Sequence, residues 1–277
     1  MDKLIILYNF NLKRMNKSVM FWVFALAVML GIPFGLYQFT KDWDAVLYSQ
    51  IAGEYKGNED VYNVGYFVLF ITYFFTVFCG ATITNSIANE RISKVSDLLT
   101  YHVSPVKIVY SKMFALFTLL LEVSTVIVAE CGIFQLIGVI HMEKVSFFIK
   151  MIGIESTDIL VICIMSIVAI MIYMLLYGMV GVCITNQQQM QFAQLPVTVV
   201  LIAAFVTAYV CLNNPELLIT KVMKYVPFVA PFIMGSEILS GTVSIFQIIV
   251  SGVLIVLEIA LSNYFIIKIL IPKKMIQ

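Results

Sequence analysis

Six apolar stretches, at about residues 19–38, 64–88, 105–140, 158–185, 192–212 and 242–271, limit what this sequence can become more than anything else in it. Each is long enough for a helix, rising about 1.5 Å per residue, to cross a hydrocarbon layer of about 30 Å. A water-soluble fold would have to bury all six, and a chain with 61% hydrophobic and only 12% charged residues has too little polar surface to cover them. Within lipid, backbone amides and carbonyls must pair inside the segment, so the spans should be helical. The expectation is an all-α polytopic membrane protein, a single transmembrane domain over residues 1–277 with six transmembrane helices.

The segments between the spans set an orientation. Residues 1–18 mix Lys3, Lys13, Arg14 and Lys17 with Leu4, Ile5, Leu7, Tyr8, Phe10 and Leu12, which predicts an N-terminal interfacial helix. The following apolar run is too long for the core of a signal peptide, so this segment is expected to be retained. Residues 39–63 are acidic and read as an external loop, and 141–157 as a second, short one. With both termini cytoplasmic, eleven Lys and Arg residues lie inside and six outside, which satisfies the positive-inside rule. The expected location is the plasma membrane, as a multi-pass protein. Between the last two spans, Pro215, Pro227, Pro231, Gly235 and Gly241 punctuate two stretches too short to cross, which predicts short re-entrant helices packed on other protein.

The loop from Ala88 to Lys112 is the longest polar interruption with a cationic excess. Ile92, Val95, Leu99 and Val103 recur at helical spacing, with Glu90, Arg91, Lys94, Ser96 and Asp97 on the other face, so the loop should carry a short amphipathic helix at the cytoplasmic surface. Ser104-Pro105 then supplies an N-cap and a proline at the first helical position. The third span is overlong, so its ends should protrude, or the helix should tilt or break near Gly132.

Several chemistries lack their residues. There is no G-x-x-x-x-G-K-[ST] to cradle a nucleotide and no H-E-x-x-H, and His102 and His141 fall on opposite sides of the membrane. The five cysteines lie in apolar segments without a C-x-x-C pair, which argues against a disulfide framework or metal site. No basic stripe with interleaved aromatics points to nucleic acid. No catalytic, cofactor or metal residue is expected in this chain.

The string Glu90-Arg91-x-Ser93-Lys94-Val95-x-Asp97-Leu98-Leu99, followed by Val103-Ser104-Pro105 and Lys112, resembles the E-K-x-S-R-V-x-E-x-L-x-x-S-V-x-P…G-K signature of ABC-2 type exporter permeases, nearest to their NatB-like sodium-efflux branch. Val226 to Met234, V-P-F-V-A-P-F-I-M, resembles the P-F-x-x-P-F-x-M element of the same family. Asp97 stands where the family has Glu, Ser111 where it has Gly, and residues 39–63 replace the large external domain of the sodium-efflux members. The compact size is similar to permeases that export bacteriocins and phenol-soluble-modulin-type peptides. The resemblance implies the ABC-2 (type V exporter) architecture and a dimer with a second permease copy or a sister permease. It also implies a separate cytoplasmic ABC ATPase that holds ATP and Mg and docks on the loop helix, called the coupling helix. Glu90, Arg91, Lys94, Asp97, Leu98 and Leu99 are the candidate ATPase contacts. An amphipathic or toxin peptide is the expected cargo; sodium efflux, and a membrane immunity or assembly protein that transports nothing, are the alternatives.

The acidic residues furthest inside the spans are Glu122, Glu130 and Glu258. A carboxylate at bilayer depth is penalised by about 2.5 kcal/mol or more, so each should face protein or water. Glu122 and Glu130 should sit about 12 Å apart on roughly one side of the third span, and all three are candidate residues of a translocation path.

Overall fold

The computed structural model describes residues 3–41, 57–94, 103–151, 154–214, 217–239 and 245–265, and among them the structure is helical without strands. In chain order the helices are α1 (Lys3–Asn16), α2 (Val19–Lys41), α3 (Gly57–Ile92), α4 (Pro105–Leu136), α5 (Met142–Met151), α6 (Ser156–Cys183), α7 (Gln189–Ala193), α8 (Leu195–Asn213), α9 (Leu218–Met223), α10 (Ala230–Leu239) and α11 (Ile245–Phe265). Six of these, α2, α3, α4, α6, α8 and α11, are long and apolar enough to cross a membrane, in the order the sequence predicts.

Helix α6 is the axis of the bundle. Between Ala169 and Gly178 it buries residues on almost every side, including the rings of Tyr173 and Tyr177. Its largest neighbour is α3, and the two backbones approach closely because small residues line the seam. A methyl group on Gly80 would stand 2.2 Å from the Tyr177 ring, and one on Gly181 would stand 3.1 Å from the Thr84 carbonyl oxygen. Across this seam the Thr84 hydroxyl donates to the Tyr177 carbonyl at 2.9 Å. Helices associate in lipid by such close packing and polar contacts, since the surroundings are as apolar as the side chains.

Two cores form around this pair. One joins α2, α3, α4 and α6 with the end of α1 through Met15, Phe21, Phe78, Met113, Leu116 and Met174. The other joins α3, α6, α8 and α10 through Leu69, Tyr173, Leu201, Ala204, Ala208, Phe232 and Ile233. Helices α9 and α10 are the short helices expected between the last two spans. The V-P-F-V-A-P-F-I-M segment folds as the entry to α10, where the Tyr173 hydroxyl donates to the Phe228 carbonyl and Tyr173 packs edge-on to Phe232 at 5.9 Å.

Several local expectations change. Helix α3 begins at Gly57 and continues to Ile92, about 54 Å in all, so it extends well beyond the hydrocarbon. The segment 88–92, expected to open the separate loop helix, is therefore the last turn of α3, and Lys94 follows it with a left-handed backbone at φ 57°. Helix α4 starts at Pro105 behind Ser104 in the capping position, yet the Ser104 hydroxyl makes no cap bond. No break occurs at Gly132; α4 runs straight through it and stops at Leu136, not Ile140. The stop is a left-handed glycine: Gly138, at φ +77°, lets Val139 N–H reach the Phe134 carbonyl at 2.9 Å and its own N–H reach Gln135 at 3.0 Å. What was expected as a plain loop at 141–157 contains α5, tied to the end of α2 by Lys144 Nζ donating to the Thr40 carbonyl at 3.2 Å. Glu155 and Asp158 cap each other's backbone to open α6.

Candidate functional site

The end of α1, the end of α3 and the first turns of α4 meet at one carboxylate. Glu90 lies on the last turn of α3 and is only 3% exposed. Its Oε1 receives Arg14 Nη1 from α1 at 2.7 Å and Lys112 Nζ from α4 at 2.7 Å. Lys112 is fully buried and also donates to Ser86 Oγ at 2.7 Å and to the Ser86 carbonyl at 3.2 Å. A buried ammonium is tolerated only when its donors are used, and here α3 uses three of its contacts. One turn along, the buried Asn11 donates to Ser111 Oγ at 2.9 Å, and the Tyr8 hydroxyl pairs with Thr118 at 2.8 Å. The N-terminal helix is thus not a simple surface float. It packs along the first half of α4, tied to it by Asn11 and Tyr8, while Arg14 reaches across to Glu90 on α3.

The other helix ends join the same layer. Arg91 Nη1 donates to the Val182 carbonyl on α6, Gln194 Nε2 donates to Asn85 Oδ1 at 3.1 Å, and Asn263 Nδ2 of α11 donates to the Tyr110 hydroxyl at 2.9 Å. Among the candidate ATPase contacts, Glu90 is therefore buried with its charge paired inside the bundle, and Arg91, half-buried, has one nitrogen bonded to α6. Lys94 is exposed at the start of the loop. Asp97, Leu98 and Leu99 lie outside the described residues. The loop springs from two rigid posts, the end of α3 and the start of α4, pinned together through Glu90 and Lys112. The sequence marks Arg14 only as an inner-side cation and Lys112 as the lysine of the family-like motif; that both reach one glutamate follows only from how the helices pack.

The intramembrane acids do not share one environment. Glu258 is 8% exposed on the inner face of α11, together with Ser251, Ile255 and Ser262, and its Oε2 has no hydrogen-bond partner among the described residues. Glu122 is exposed on the outside of α4, beside Ser124 and Thr125, whose hydroxyls bond back to α4 carbonyls. Glu130, half-buried, lines a cleft between α2 and α4. Glu122 and Glu130 share α4, but of the two only Glu130 lines the cleft with α2.

Residues 40–268 match the sequence model of the ABC-2 family transporter proteins. The chain belongs to that family. The six apolar helices accord with an ABC-2 permease, a membrane-embedded transporter component. Helix α1 and nearly all of α2 precede the matched region, so the helix that supplies Arg14 is outside it. Among curated proteins, this ABC-2 family member is 22% identical over 178 residues to the uncharacterised protein YhaP of Bacillus subtilis (strain 168). That match covers 61% of the present chain and 41% of YhaP, so the permease spans well under half of that relative. No solved structure matches it.

Proposed function

We propose that this permease is the membrane subunit of an ATP-driven exporter. It works as a pair of permease chains, identical or sister, each docked on a separate cytoplasmic ATPase through the loop between α3 and α4. The observation that carries the reading is the family match over residues 40–268 combined with the loop's anchorage. Because Glu90 ties α1, α3 and α4 at the foot of the loop, a push on the loop moves three helices together. With Glu90 and Arg91 engaged internally, the ATPase contact falls to Lys94, Asp97, Leu98 and Leu99, the apolar pair filling a cleft and the charges fixing register.

The cargo we favour is an amphipathic, cationic peptide. Glu122 and Glu130 put carboxylates at bilayer depth without an ion-pair partner among the described residues, which suits a cation that arrives with its own apolar surface. The test is export by the permease expressed with its ATPase, with Leu98→Ala and Leu99→Ala combined. Truncating an interface anchor costs about 2 kcal/mol, roughly thirtyfold in occupancy. The double variant should insert normally but lose ATPase co-purification and export. Full assembly and export in that variant would overturn the docking assignment.

A further inference from the structure

In the outer half of the bundle, α2 and α4 diverge around a cleft of about 450 Å³, lined by Met29, Pro33, Phe34 and Tyr37 from α2 and by Glu130 and Phe134 from α4. Its walls are almost wholly apolar, so the few polar groups decide what it can hold. The first is the Glu130 carboxylate, which makes no hydrogen bond or ion pair among the described residues. The second follows from covalent chemistry. Pro33 sits inside α2 without an N–H, which leaves the carbonyl of Met29, one turn earlier, without the amide a regular helix would offer it. Met29 and Pro33 are four residues apart on one helical face, and both line the cleft. The third is the Tyr37 hydroxyl, another turn outward on the same face.

A carboxylate and an orphaned carbonyl on opposite walls are both acceptors. At membrane depth each is expensive until a donor reaches it. We propose that this cleft binds a lipophilic primary ammonium: the –NH₃⁺ bridges Glu130 and the Met29 carbonyl, and the hydrocarbon part lies between Phe34 and Phe134. A guest of this kind is a lysine side chain or free amino terminus on an apolar segment. The inference rests on reading Glu130 as a cargo-facing carboxylate and adds the chemistry that it selects. An ordinary acyl chain would use the walls but neither acceptor, and a quaternary ammonium would use the charge but offer the carbonyl no N–H.

The test is displacement of radiolabelled n-decylammonium from the full chain in phosphatidylcholine nanodiscs, with decyltrimethylammonium and decanol as competitors. Decylammonium should compete best, decyltrimethylammonium less well, and decanol at least tenfold worse. Glu130→Gln should weaken decylammonium at least tenfold and abolish the preference over decanol. Pro33→Ala returns an N–H to the Met29 carbonyl and favours the helix, so it should fold, weaken decylammonium severalfold, and leave decyltrimethylammonium unchanged. Equal competition by decanol, or no effect of Glu130→Gln, would overturn the site; so would Pro33→Ala weakening both cations alike. Loss of binding when phosphatidylethanolamine is added would make the occupant a lipid headgroup and overturn the cargo assignment. No ATPase is present, so failure here leaves the docking loop untouched, and failure of the Leu98 and Leu99 variants leaves this binding intact.

Discussion

Lys112 shows how one residue can hold a membrane bundle together. Its ammonium is fully buried, 2.7 Å from Glu90, and it bonds two atoms of Ser86. Removing one partner of a buried pair leaves the other charge uncompensated, at a cost of about 3–5 kcal/mol. Lys112→Met should therefore destabilise the permease by roughly 3 kcal/mol, read from denaturant unfolding in mixed micelles, since Arg14 remains on Glu90 but is 40% exposed and its attraction is screened. Combining it with Glu90→Gln should recover part of that loss, because neither buried charge is then stranded. A double variant as unstable as the two single variants added together would remove the pairing as the cause. The motif marks Lys112 in the sequence, but the partner on α1 lies 76 residues before Glu90. No periodicity connects them.

Among elements, the contrast between Gly80 and Gly132 separates packing from composition. Both sit inside apolar helices and look alike in sequence. An added methyl at Gly80 would collide with Tyr177 at 2.2 Å, whereas at Gly132 it would meet nothing within 4 Å. Gly80→Ala should force α3 from α6 and destabilise by about 1–3 kcal/mol. Gly132→Ala should be neutral or stabilising by up to about 1 kcal/mol, since alanine is the better helix former. Thermal unfolding of the two variants side by side checks both, and equal losses would contradict the close seam. Helix α11 teaches a related lesson. It buries Ser251, Glu258 and Ser262 while exposing Phe246, Val253, Val256 and Leu261, the reverse of a soluble helix. The apolar pattern alone locates this span; the polar minority says which side faces protein.

At the scale of the molecule, orientation is the property most open to direct test. The charge asymmetry predicts that Asn58, Lys150 and Lys221 lie outside and Ser93 and Lys274 inside. In a background free of the native cysteines, single cysteines at the first three positions should react with an impermeant maleimide in intact cells, and those at the last two should not. Labelling of Ser93→Cys from outside would invert the topology and detach the loop from any cytoplasmic ATPase.

The sequence by itself determined six helical spans, their order and the cationic loop between the second and third, because span length and hydrophobicity are local and lipid leaves the backbone little choice. It also placed α4's start at Ser104-Pro105, since a proline's missing N–H and fixed φ act within one turn. Tertiary structure alone decided that Glu90 and Arg91 turn inward, that α1 locks onto α4, and that Glu130 shares a cleft with Met29 while Glu122 does not. Those outcomes depend on which faces of separate helices meet. In a helix that is apolar all round, the pattern of residues gives that rotation little purchase, and a few buried charges and glycines set it.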